Sequence, residues 1–194
     1  MRTYRPLDWI FRGETRAQLY LERAEGFREV IEAILETFTK IPPLHDYSLG
    51  PVVFLLRHWI ELQLKGIIVY VTEPADHESI KGHDIAQLYK LATKITKDFA
   101  SNRNLDWPCP NSKVERLISL LGNYDSKGEV FRYPETLDGE SVFQEPMDND
   151  LYDMVMTVEG LTESCSLIFG DLDGLEGWMD NIKENEEEAE REEY

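Results

Sequence analysis

Four ionisable residues sit inside an otherwise apolar run, PVVFLLRHWIELQLKGIIVYV (51–71): Arg57, His58, Glu61 and Lys65. On a helix, Arg57–Glu61 and Glu61–Lys65 are four apart and His58–Glu61 three apart, so each pair is within reach. Their side chains fall within an arc of roughly 100° on a rod that is apolar around the rest of its circumference. A guanidinium holds phosphate or carboxylate through a fork of N–H donors. An imidazole moves protons near neutral pH, and a nearby carboxylate can orient it. Partners for this stripe must come from elsewhere in the chain. Gly82-His83-Asp84 is one source, and the turn Asp125-Ser126-Lys127-Gly128 leading into Phe131-Arg132-Tyr133-Pro134 is another. The candidate catalytic set is therefore Arg57, His58, His83 and Arg132, with Glu61, Lys65, Asp84 and Asp125 as a polar network. The same residues also read as an ionic network that fixes helix register, or as a partner-binding surface. All three readings stay open at the level of sequence.

Other chemistry is thinner. His45, His58, His77 and His83 form no helical HxxxH pair, and no metal site is expected. No cofactor is expected either, because GxGxxG, the Walker loop and GxSxG are absent. Cys109 and Cys165 lack CxxC spacing and read as free thiols in a reducing compartment. Trp107-Pro108-Cys109-Pro110 reads as a packed loop or, alternatively, a reactive thiol site. Net charge is −18, of which the last eleven residues, ENEEEAEREEY, supply −6. Such a field repels nucleic acid except in a locally positive cleft, and favours a basic protein partner. Basic and aromatic residues form no shared stripe. The opening residues MRTYRPLDWIFRGETR hold no apolar run of signal-peptide length. Charges in the apolar run oppose membrane insertion at about 3 kcal/mol each. The expectation is a cytoplasmic protein without membrane association.

The elements that must position these residues are mainly helical. Tyr4, Pro6, Trp9, Ile10 and Phe11 suggest an irregular arm packed on the body. Apolar spacing predicts helices over 14–38, 51–71, 83–99, 113–123 and 149–183. Pro42-Pro43 stops the first, and Ser48 is a candidate N-cap for the second, with Pro51 in its first turn. Glu129–Tyr133 and Ser141–Gln144, around Asp138-Gly139, predict a short β-hairpin insertion near 129–144. The last helix carries Leu151, Met154, Val158, Leu161, Cys165, Ile168, Leu172, Leu175, Met179 and Ile182 at alternating spacings of three and four. This coiled-coil-like seam needs covering, by the bundle or by a second copy through 149–183. Gly160, Gly170, Gly174 and Gly177 weaken it, and a kink or break near Gly170 is expected. The fold class is thus an up-and-down bundle of four to five helices in one domain over 1–183. The acidic tail 184–194 is expected to be frayed helix or disorder.

Three segments in order, RHWIELQLKG, KGHDIAQLYKLA and YDSKGEVFRYPE, together resemble the HEPN superfamily of small prokaryotic helical bundles. The resemblance covers about 50–134. It implies a bundle of four or five helices, often dimeric, from toxin–antitoxin, abortive-infection or other phage-defence systems. Many such proteins are metal-independent ribonucleases; others are non-catalytic partners of minimal nucleotidyltransferases. The ribonuclease members carry Arg, four to six residues, then His. No His of this chain has an Arg at that distance before it, and Arg57 and His58 are adjacent. The resemblance therefore implies a non-catalytic accessory protein. The alternatives are a divergent ribonuclease or nucleotide-processing enzyme that assembles Arg57, His58, His83 and Arg132 through the fold, and a structural homodimer.

Overall fold

The computed structural model describes residues 15–41, 45–72, 80–133, 135, 139, 141 and 146–192. Six helices account for most of them: α1 (Arg16–Lys40), α2 (His45–Thr72), α3 (Ile85–Arg103), α4 (Ser112–Tyr124), α5 (Asn149–Val155) and α6 (Val158–Glu192). The aromatic arm expected near the N-terminus, His77, and residues 134, 136–138, 140 and 142–144 of the expected hairpin lie outside the described residues.

The apolar run forms the middle of the bundle. α2 packs along α1 over most of its length and also meets α3 and α6. Eleven consecutive residues, Trp59 to Val69, are buried, as expected of a helix that is apolar nearly all round. Gly66 lets α1 come close, since a Cβ there would stand 2.6 Å from Leu21 Cδ2. α2 begins at His45, one turn before the expected Ser48 cap, so Pro51 lies inside it and removes one backbone bond. α1 starts with a capping box between Thr15 and Gln18. α3 starts on Asp84, whose carboxylate accepts from the N–H groups of Ala86 and Gln87.

The expected β-hairpin is not seen among the described residues. Residues 129–133 make a turn in which Arg132 N and Tyr133 N both donate to Glu129 O at 3.0 Å. Asp125 Oδ1 takes the N–H groups of Glu129 (2.7 Å) and Val130 (3.1 Å), donors that a strand would need for its ladder. Among the described residues the only β pairing is a single antiparallel bridge, Glu135 to Ser141.

The expected single helix over 149–183 is two helices, which brings the count to six. The break comes at Met156-Thr157 rather than near Gly170. Thr157 Oγ1 donates to Asp153 O at 2.9 Å and accepts from Gly160 N at 3.0 Å, and Ser164 Oγ holds Met154 O at 3.0 Å. A Cβ on Gly160 would fall 1.8 Å from Asp153 O, so this corner requires glycine. At Gly170, Gly174 and Gly177 the helix passes unbroken. α6 continues to Glu192, so the described part of the acidic tail is helical. The seam residues Leu151, Leu161, Cys165, Ile168, Leu172 and Met179 are each at most 1% exposed within this one chain. They belong to the same apolar cluster as α2. No helix of the described residues is long and apolar enough to cross a membrane.

Candidate functional site

Arg57, Glu61 and Lys65 recur every fourth residue on α2 and form one buried row, 2%, 3% and 8% exposed. A charge in that position requires compensation, and it comes from the two expected segments. Arg57 Nε donates to Asp125 O at 3.1 Å, Nη1 to Glu61 Oε2 at 3.4 Å, and Nη2 to the backbone carbonyl of His83. Asp125 Oδ2 stands 3.3 Å from Arg57 Nε, close enough for ion pairing but not aligned as a hydrogen bond. Lys65 Nζ donates to Glu61 Oε1 at 2.8 Å, and His83 Nδ1 meets the same oxygen at 2.9 Å. Burial by itself would raise the Glu61 pKa. The Lys65 hydrogen bond and charge, with His83, outweigh burial and hold the carboxyl below its usual range. Glu61 is therefore an acceptor only, and Nδ1 of His83 is the donor. The His83 side chain itself is 65% exposed.

The turn after α4 fits round the guanidinium. Gly128 has φ +75°, and a Cβ there would meet Arg57 Nη1 at 2.7 Å. Gly128 N donates to Asp125 O at 3.2 Å, closing the turn whose carbonyl Arg57 also uses. Neither Gly128 nor the two backbone carbonyls were readable as site groups. The sequence signal was only the Asp-Ser-Lys-Gly turn composition.

Not every expected residue joins this network. Asp84 is engaged as the N-cap of α3, accepting also from Gln87 Nε2 at 2.8 Å, and its neighbour His83 supplies the contacts. His58 leaves the row, as the 100° turn per residue requires. Its ring lies 4.7 Å edge-on from Phe27 and 6.1 Å stacked on Phe54. Burial holds the His58 pKa below its ordinary value; Glu61 opposes this, while Arg57, Lys65 and Arg132 add to it. Arg132 is exposed, its guanidinium carbon 5.4 Å from the Phe54 ring centroid and 5.0 Å from that of Tyr133. The structure thus brings Arg57 and His83 together with Glu61, Lys65 and Asp125. His58 and Arg132 sit against Phe54 instead.

Chemically, a guanidinium engaged through all three nitrogens holds two backbone segments against α2, and a buried carboxylate aims one exposed imidazole. Among the described residues no group of three or more His, Cys, Asp or Glu is placed to hold a metal ion. No protein-family model, curated protein or solved structure matches the chain.

Proposed function

We propose that this chain is a non-catalytic, HEPN-like interaction protein, an accessory or antitoxin-like subunit of a toxin–antitoxin or phage-defence system, which binds a basic protein. The observation that carries this reading is Arg57. An arginine that stabilises a transferring phosphate must present N–H groups to it. All three nitrogens of Arg57 are engaged within the chain, and the residue is 2% exposed. Further support comes from the three family-like segments, which meet at one point through Arg57, His83 and Asp125. A concavity of about 610 Å³ suits the partner. Its lining includes Tyr124, Phe131, Arg132, Met147, Tyr152 and Met156, residue types that dominate interface cores. α5 contributes Tyr152 to the wall, and the exposed Asp148, its N-cap, and Asp153 complement a basic segment with apolar anchors, while Asp150 pairs with Arg116. Purified from its host at physiological salt, the protein should bring down one basic protein in fixed stoichiometry. High salt should release it, and Tyr152→Ala should weaken it. A chain that stays alone throughout overturns the proposal.

The Glu61–His83 contact favours a second reading, a divergent ribonuclease or nucleotide-processing enzyme in which His83 is the general base. An exposed imidazole with Nδ1 held 2.9 Å from a buried carboxylate is oriented for proton transfer at Nε2. Incubation with total RNA and with nucleotides, beside His83→Ala, decides it. Turnover lost with the imidazole supports this reading; equal turnover, or none, removes it.

A further inference from the structure

Away from the Arg57 row, a cavity of about 200 Å³ opens between α3, the loop before α4, and α6. Leu64, Ala92, Leu172 and Leu175 line its apolar part, and Tyr89, Cys109 and Asp171 its polar part. Gly170 and Gly174 contribute no side chain, and a Cβ at either would meet nothing within 4 Å. The volume equals about six or seven water molecules at ~30 Å³ each.

Two observations mark it as a binding site. Tyr89 is 6% exposed, and its hydroxyl has no hydrogen-bond partner among the described residues. A buried hydroxyl left unpaired is costly, and native interiors rarely tolerate one. The second is the Asp171 carboxyl, half-buried on the same wall. Its Oδ1 accepts from Asn111 N at 2.9 Å, which leaves Oδ2 for a ligand. Burial pushes the Tyr89 hydroxyl and the Asp171 carboxyl both above their ordinary ranges, the signature of groups desolvated without a counter-charge. Among the described residues no cation pairs with Asp171, and the donor set is too small for a metal ion.

We propose that this cavity binds a primary ammonium on a short apolar stem. Asp171 Oδ2 and the Tyr89 hydroxyl oxygen accept the N–H donors, and the leucine and alanine side chains cover the methylenes. An anion is excluded by Asp171, and a chain of net charge −18 concentrates cations around itself. The inference does not depend on the partner reading above.

Cys109, exposed at the rim, reports occupancy. The other thiol, Cys165, is buried and pushed up to about 12 by that burial, so it stays silent toward alkylation. The rate of Cys109 alkylation by iodoacetamide is followed while n-butylammonium chloride is titrated at constant ionic strength. 1-Butanol and sodium butyrate serve as neutral and anionic controls, and calorimetric titration of n-butylammonium gives a direct measure. Saturable protection by n-butylammonium alone is expected. Asp171→Asn should weaken it about tenfold to hundredfold and Tyr89→Phe about tenfold, with far-UV circular dichroism unchanged. Nα-acetyl-lysine amide separates two sources. Protection by it as well identifies a lysine side chain as the ligand, and protection by n-butylammonium only identifies a free small amine. Absence of saturable protection and heat, equal protection by 1-butanol, or an unchanged Asp171→Asn response overturns the proposal.

Discussion

At the scale of single residues, burial decides what each charge is for. Arg57 compensates Glu61 and Asp125 and ties down two backbone carbonyls. Arg57→Ala leaves Asp125 buried without its cation and Glu61 with Lys65 as its remaining cation, and should cost about 3–5 kcal/mol. Urea denaturation measures the loss. Arg57→Lys should recover little, because a compact ammonium cannot span partners that the guanidinium meets with three separate nitrogens. His58 makes a separate prediction about pH. Its folded pKa is depressed by burial against Phe27 and Phe54, so the unfolded chain binds its proton first on acidification. Stability should fall as pH drops below its unfolded value of 6.5 toward the lower folded value. Glu61, also depressed, adds its own loss below its unfolded value of 4.5. Asp171, Asp173 and Glu176 have raised values, so their contribution is present at low pH and is lost as pH rises through the folded values, which opposes the trend. Comparing denaturation midpoints at pH 7.5 and 5.5 isolates the imidazole: His58→Phe should flatten the difference.

At the scale of elements, glycines separate close approach from mere weakness. Gly160 sits at the α5–α6 corner, where a side chain meets a backbone carbonyl at 1.8 Å. Gly160→Ala should therefore destabilise by about 1–3 kcal/mol, the range for an overpacked site. Gly177 lies on an exposed part of α6 with nothing within 4 Å. Gly177→Ala should stabilise by about 0.5–1 kcal/mol through helix propensity and a less flexible unfolded chain. Thermal melts of the two variants should move in opposite directions. The periodic spacing in the sequence treated both glycines alike, because a heptad pattern records which face is apolar and not what stands opposite it. The missing hairpin has a similar origin. Glu129 and Val130 have strand-like neighbours, but Asp125, four and five residues back, captures their N–H groups first.

At the scale of the whole molecule, the last helix and the central one share a single apolar cluster. Tyr70 Oη donates to Met179 O at 3.1 Å, Gln63 donates to Glu176, and Arg28 reaches Asp173 at 2.5 Å. α6 thus completes the bundle. Ile168→Ala, in a fully buried seam position, should cost about 2–5 kcal/mol. The loss should not vary with protein concentration, as it would if the seam joined two copies. Denaturation at two concentrations tenfold apart tests this.

The sequence by itself determined the helical class, the central place of 51–71 and the row Arg57–Glu61–Lys65. Each is a consequence of local periodicity: a rod apolar on nearly every side must be enclosed, and residues four apart must line up. It also pointed to 82–84 and 125–134 as partners, since few other segments combined charge with a turn. Tertiary structure alone decided which atoms met. The carbonyl and ring of His83, rather than the carboxylate of Asp84, took the contacts with α2, and His58 turned to Phe54 with Arg132. The carbonyls that meet Arg57 and the cavity beside Tyr89 leave no mark in residue types. They exist only once separate helices are brought within a few ångströms of one another.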